Sequence, residues 1–188
     1  YHAREWAATE MALRLIDYLG RSPAPNPRVD SLVRRRDIWI VPVVNPDGYE
    51  YTFTTDRLWR KNRRPNDDGT YGVDLNRNHT EHWGADEVGS SSLAWAETYR
   101  GPSAESELET QAIAAFHRAH VPVMSVSYHT FTGLILWPWG NDFGRITGDD
   151  GIFRALGGTD VRPAVRDNLP GSERNHYHPA WGWNLYPT

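Results

Sequence analysis

From Ile38 to Val44 the chain reads Ile-Trp-Ile-Val-Pro-Val-Val, an apolar run with almost no polar interruption. A strand with one wet face alternates apolar and polar residues. A run without alternation needs cover on both faces, which a parallel sheet between helices provides. That one stretch points to an α/β fold and asks the rest of the chain for helices. Ala8, Met11, Ala12, Leu15, Ile16 and Leu19 recur at i, i+3, i+4, i+7 spacing, with Gly20 placed to end the helix. Ser106-x-x-Glu109 reads as a capping box, and Leu108, Ala112, Ala115, Phe116 and Ala119 form the buried stripe of a second helix behind it. Val121 to His129 reads as a second buried strand and Leu134 to Trp139 as a third, shorter one.

Between these elements, Ser22 to Pro27 is a proline-rich loop leading to a helical turn around Val29 to Arg35, and Ile152 to Leu156 looks helical. Asn45-Pro46-Asp47-Gly48 carries strong turn chemistry and closes the first strand. From Tyr51 to Tyr99 neither period is visible, and a loop that long inside a compact domain is usually functional. No repeat or boundary divides the chain, so residues 1–188 are expected to be a single domain.

Composition narrows the function. A net charge of −4 disfavours a nucleic-acid partner, despite the basic runs Arg34-Arg35-Arg36 and Arg60-Lys61-Asn62-Arg63-Arg64. No apolar run approaches the roughly 18 residues of a membrane span, so no membrane partner is expected. The absence of cysteine rules out disulfides, thiolate nucleophiles and thiolate-held metals. There is no Gly-x-Ser-x-Gly elbow and no glycine-rich phosphate loop ahead of a helix. Nine Trp and nine Tyr can be core, or can line a cleft for organic side chains.

His2 and Glu5 offer a nitrogen and an oxygen donor just before the first helix, a pairing that suits a divalent ion but needs a third ligand. The other histidines fall into pairs, His79 with His82, His117 with His120, and His176 with His178, each of which could bind metal but is more often a pair of ordinary polar side chains. His129 differs in standing at the end of a predicted buried strand. Arg57, Arg60, Arg63 and Arg77 lie in the long loop, where guanidinium forks could grip carboxylates or simply be solvated.

Taken in order, these stretches resemble the zinc metallocarboxypeptidases of the pancreatic carboxypeptidase A and B type, and more closely their bacterial carboxypeptidase T relatives. The resemblance rests on His2-Ala3-Arg4-Glu5-Trp6, Asn45-Pro46-Asp47-Gly48-Tyr49, Trp59-Arg60-Lys61-Asn62-Arg63, Gly72-Val73-Asp74-Leu75-Asn76-Arg77-Asn78, Tyr99-Arg100-Gly101-Pro102 and Ser127-Tyr128-His129-Thr130. It implies a mixed, largely parallel sheet flanked by helices, with the site at strand ends. It implies that Zn²⁺ is held by His2, Glu5 and His129, with Asp74 orienting His2 from behind. Arg60 would stabilise an oxyanion, Asn76 and Arg77 would grip a substrate's terminal carboxylate, and Arg4 and Arg57 would line the approach. Tyr186, in Leu185-Tyr186-Pro187-Thr188, would cap the bound substrate. The partners implied are peptides or proteins with a free C-terminus, and the enzyme a secreted, monomeric metalloprotease. Cis peptide bonds are implied at Thr130-Phe131 and Pro138-Trp139.

The pattern also departs from the family. The general-base glutamate is absent, as are the strands ahead of the first motif and the final strand and helix, so the chain is expected to be truncated at both ends and inactive alone. Two alternatives follow: a non-catalytic remnant that binds zinc and peptide carboxylates, or one of the related amidases that trim cell-wall peptides. The tract from Trp59 to Asn78 argues for the carboxypeptidase branch.

Overall fold

A computed structural model describes residues 1–21, 26–130, 134–140 and 145–158, together with the backbone of 176–179. Helix α1 (Trp6–Gly20) follows the first motif directly and ends on the expected glycine. Helix α2 (Pro27–Arg35) starts on Asn26, whose side chain accepts hydrogen bonds from the Arg28 and Val29 amides. Helix α3 (Pro46–Thr54) was not legible in the sequence, because the same residues that make turns also start helices. Asn45 is its N-cap and accepts from the Gly48 amide, Pro46 occupies the first turn, and Asp47 complements the positive helix end. The expected turn is therefore the beginning of a helix.

Gly48 is fixed there by contact: a β-carbon would lie 2.5 Å from the Lys61 carbonyl oxygen. Helix α3 packs on α1 through Trp6, which stacks on Phe53 at 4.3 Å and donates its indole N–H to Thr52.

Helix α4 (Leu108–His120) forms, but not from a capping box, and its expected apolar stripe is not buried: Leu108 is 78% exposed and the buried residue of the helix is Thr110. Its N-cap is Glu107, one residue later than predicted, and no side chain caps the helix. Ser106 and Glu109 are drawn elsewhere: the Ser106 hydroxyl accepts from Asn78 and donates to Glu107, and Glu109 accepts from Asn62. Tertiary partners outbid the local cap.

The sheet is where expectation and structure part most. Strand β1 (Leu134–Trp137) pairs in parallel with β2 (His176–Pro179), Leu134 opposite His176 and Trp137 opposite Pro179. This is the only sheet among the described residues. The strands expected at 38–44 and 121–129 do not form: neither stretch joins a ladder, Val121 takes a left-handed conformation at φ 44°, and their side chains are not buried, with Trp39 56% exposed and Val123 fully so. An apolar run records what a segment is suited to bury, and a strand exists only where a partner completes its hydrogen bonds. Among the described residues, α4 covers part of the first run, with Trp39 against Phe116 and His120. Helix α5 (Asp150–Gly157) seats β1, the buried Trp137 donating to Asp150 at 2.9 Å. The Pro138-Trp139 peptide is cis, as implied, while Thr130-Phe131 runs outside the described residues.

The centre of the molecule lies in the long aperiodic stretch, and it is polar. Asn62, Asp74, Asn76, Asn78, Glu107 and Thr110 are all buried around Val73 and Leu75. Asn78 joins the loop to α4, donating to the carbonyls of Arg100 and Ser103 and accepting from Thr110 and the Glu107 amide. Asn62 accepts from the Val73 amide and donates to Glu107. Buried polar groups cost little only when paired, and these asparagines pair backbone that no sheet serves. At Gly101 the chain takes φ 85°, and a β-carbon would meet the Ser106 hydroxyl at 2.6 Å.

Candidate metal centre

The first motif is held by side chains and loop backbone, not by a strand. The Ala3 amide donates to the Arg60 carbonyl, Asn45 donates to the Tyr1 carbonyl, and the Glu5 amide closes a turn on the His2 carbonyl. That turn aims both side chains the same way, and each residue is only 8% exposed.

His129 arrives from 124 positions away in sequence and completes the cluster. Its Nδ1 lies 2.9 Å from Glu5 Oε2 and 3.1 Å from His2 Nδ1, and His2 Nδ1 is 2.8 Å from Glu5 Oε1. Among the described residues, this is the one group of three metal-ligating side chains whose donor atoms lie within 4.8 Å of one another. Zinc bonds of about 2.0–2.1 Å to such ligands would set tetrahedral neighbours about 3.3 Å apart, close to these separations. Two imidazole lone pairs and a carboxylate converging on one point repel each other unless a cation or proton sits between them. The donor set of two nitrogens and one oxygen fits zinc.

Behind His2 stands Asp74, with no solvent exposure. Its Oδ1 is 3.3 Å from His2 Nε2, an ion-pairing distance without the alignment of a full hydrogen bond. Its Oδ2 accepts from Arg60 Nε at 3.0 Å and Nη2 at 2.8 Å, and the Asn76 amide caps Oδ1. Arg60 thus spends two of its five N–H groups on Asp74.

Burial raises the Glu5 carboxyl, but hydrogen bonds with His129 and His2 outweigh it and bring the group down to about 2. Burial likewise opposes ionisation of Asp74, and the contact with His2 with the charge of Arg60 overrides it, holding the carboxyl far below its ordinary range. His129 is lowered by desolvation, against the pull of Glu5. Both carboxylates are therefore anionic and His129 favours the neutral form, as cation binding requires.

The remaining predicted residues are placed as follows. Asn76 is buried beside Asp74 in the 3-10 turn Leu75–Arg77, and Arg77 donates to the Gly89 and Asn76 carbonyls. Arg4 donates to the Leu58 carbonyl and to Glu97. Arg57 donates to the Arg4 carbonyl, its guanidinium 3.6 Å above the Trp6 ring. These two arginines brace the motif against the loop. Tyr186 is outside the described residues.

Of the histidine pairs, His117 and His120 lie on α4, where His120 packs on Trp39 and Phe116. His82 sits beside Glu81 near the surface, and His176 and His178 lie in β2. His79 is the one that sequence reasoning undervalued. Its ring meets Tyr1 edge-on at 5.5 Å, and Tyr1 in turn lies parallel to His129 at 6.4 Å. Only its place two residues after Arg77 could have hinted at this.

Burial, with the charge of His117, lowers His79 from 6.5 to about 4. The unfolded chain therefore binds this proton more readily than the folded one between those values, so stability should fall as pH drops from 6.5 toward 4. Part exposure of the ring trims the full linkage to about 2 kcal/mol. Urea unfolding across this range should give a shallower loss for His79→Gln than for the parent; equal slopes would refute the assignment.

The zinc carboxypeptidase family matches residues 1–174. The chain is similar to a zinc carboxypeptidase of Simulium vittatum, 35% identical over 98% of this chain and 61% of the relative. It is similar to zinc carboxypeptidase A 1 of Drosophila melanogaster, 41% identical over 74% of this chain and 32% of the relative. Among solved structures it is similar to thrombin activatable fibrinolysis inhibitor, with a TM-score of 0.79 and 30% identity over 95% of this chain and 44% of that one. The chain thus spans less than two thirds of each of these proteins.

Proposed function

The chain belongs to the zinc carboxypeptidase family, and from that membership we propose that the protein it forms is a zinc-dependent metallocarboxypeptidase that removes C-terminal residues from peptides and proteins. The observation that carries the reading is the convergence of His2, Glu5 and His129 within 4.8 Å, backed by the buried carboxylate of Asp74. When bound, the ion would polarise the scissile carbonyl and acidify a water molecule. The chain's own residues supply the rest. Asp74 draws the His2 Nε2–H toward itself, which directs the Nδ1 lone pair to the ion.

Arg60 would turn its remaining N–H groups to the oxyanion of the tetrahedral intermediate, already oriented by Asp74. Asn76 and Arg77 would take the substrate's terminal carboxylate, which would confine cleavage to the last peptide bond. Arg4 and Arg57 would hold the wall of the approach, and Tyr186 would cap the substrate. Secretion and a monomeric state belong to the same proposal and rest on family resemblance.

The test uses the full-length protein and a pair of peptides that differ only in a free or an amidated C-terminus. Release of the last residue from the free peptide alone, abolished by excess chelator and restored by zinc, is the expected result. Equal cleavage of the amidated peptide, or activity that persists in chelator, would overturn the reading.

A further inference from the structure

We propose that Ser127 is a positioning residue for the third metal ligand, its hydroxyl accepting the Nε2–H of His129 and so fixing the ring with Nδ1 turned to the ion; this rests on the metal-centre reading above. The two imidazoles are alike on the inner side, where each presents Nδ1 to Glu5. On the outer side they differ. His2 Nε2 faces the carboxylate of Asp74 at 3.3 Å, and His129 Nε2 faces the hydroxyl of Ser127 at the same distance.

A neutral imidazole that gives its Nδ1 lone pair to a cation must carry its proton on Nε2, and that N–H needs an acceptor. Ser127 Oγ is an acceptor within reach of it, at 3.3 Å. The pairing is local: Ser127 and His129 stand two positions apart in sequence, so their contact needs no distant partner. This matters because residues 121–129 form no ladder, so backbone pairing does not hold the ring in place. One side of the ring is covered by Tyr1, parallel within 6°. The hydroxyl fixes its rotation. A hydroxyl lacks the charge of Asp74, so it orients the ligand while adding less to its basicity.

The experiment is zinc competition against a chromogenic chelator on the full-length protein, Ser127→Ala and Ser127→Thr. Loss of an outer hydrogen bond to a metal-bound histidine costs 10–100-fold in affinity, and a neutral acceptor at this distance belongs at the lower end, so Ser127→Ala should bind zinc about 10-fold more weakly. Ser127→Thr, which keeps the hydroxyl, should match the parent. In the zinc-loaded protein, the His129 Nε2 proton should exchange slowly in the parent and Thr variant and quickly in the Ala variant, by imidazole proton–nitrogen correlation spectra. Unchanged zinc affinity in Ser127→Ala would overturn the role of Ser127 and leave the metal centre standing. Equal weakening by Ala and Thr would also overturn it, in favour of packing. Failure of the parent to bind zinc would sink the metal-centre reading itself.

Discussion

His129→Ala is expected to lower zinc affinity about 10³-fold with little change in helix content. The estimate divides the roughly 10–16 kcal/mol of protein zinc sites among their ligands, which leaves about 3–5 kcal/mol for each. Of the three proposed ligands, His129 is the one to remove because its contribution is separable from the fold. His2 and Glu5 share a turn that the Ala3 amide and Asn45 tie to the loop, and substitutions there would disturb the start of α1. His129 stands on a segment that joins no ladder, touching the centre through its own ring. Its loss leaves a two-ligand site, His2 with Glu5, too poor to hold zinc against a competing chelator. Far-ultraviolet circular dichroism should overlay that of the parent. A variant that keeps the parent affinity would place the ion elsewhere, and a collapse of helix signal would mean that His129 holds the fold.

The same separation between local and distant determinants explains how far the sequence could be read. Helices α1 and α4 were legible because their apolar spacing is a property of the segment alone. Even so, the start of α4 moved by one residue, since Asn78 reaches Ser106 from far along the chain and takes the group a capping box would use. Helix α3 was hidden because Asn-Pro-Asp-Gly serves turns and helix starts equally well. The buried strands expected at 38–44 and 121–129 do not form, because an apolar run is a property of the segment whereas a ladder needs a neighbour that no single-segment pattern reveals.

The metal ligands could be proposed because zinc tolerates few residue types, and the motif order narrowed eight histidines to two. What lay behind them was less accessible. Asparagine and serine are common on surfaces, so nothing in their identity marks Asn62 and Asn78 as the buried joints of the loop, or Ser127 as the partner of His129. Asp74 was placed by resemblance, and its second role, as the counter-charge of Arg60, emerged only from the geometry.

That second role makes Asp74→Ala the most damaging substitution to stability, with an expected loss of about 3–5 kcal/mol. The carboxylate is fully buried, and Arg60, paired to it, is mostly so. Removing the acid strands the guanidinium without a counter-charge, leaves the Asn76 amide uncapped and deprives His2 Nε2 of its neighbour. Asp74→Asn keeps the volume and one acceptor and should cost less, because only the charge is lost.

The pH dependence supplies an independent check. The folded pKa of Asp74 is depressed, so its stabilisation is complete above the unfolded value near 4 and drains away as pH falls toward the folded one. The difference in unfolding free energy between parent and Asp74→Ala should be greatest at neutral pH and shrink below about pH 4, as the parent's carboxylate takes up its proton on unfolding. A difference under about 1 kcal/mol at pH 7, or one that grows in acid, would show that the buried pair contributes nothing to the fold. The joint role of Asp74 in setting the His2 ring and the Arg60 fork would then have to be given up.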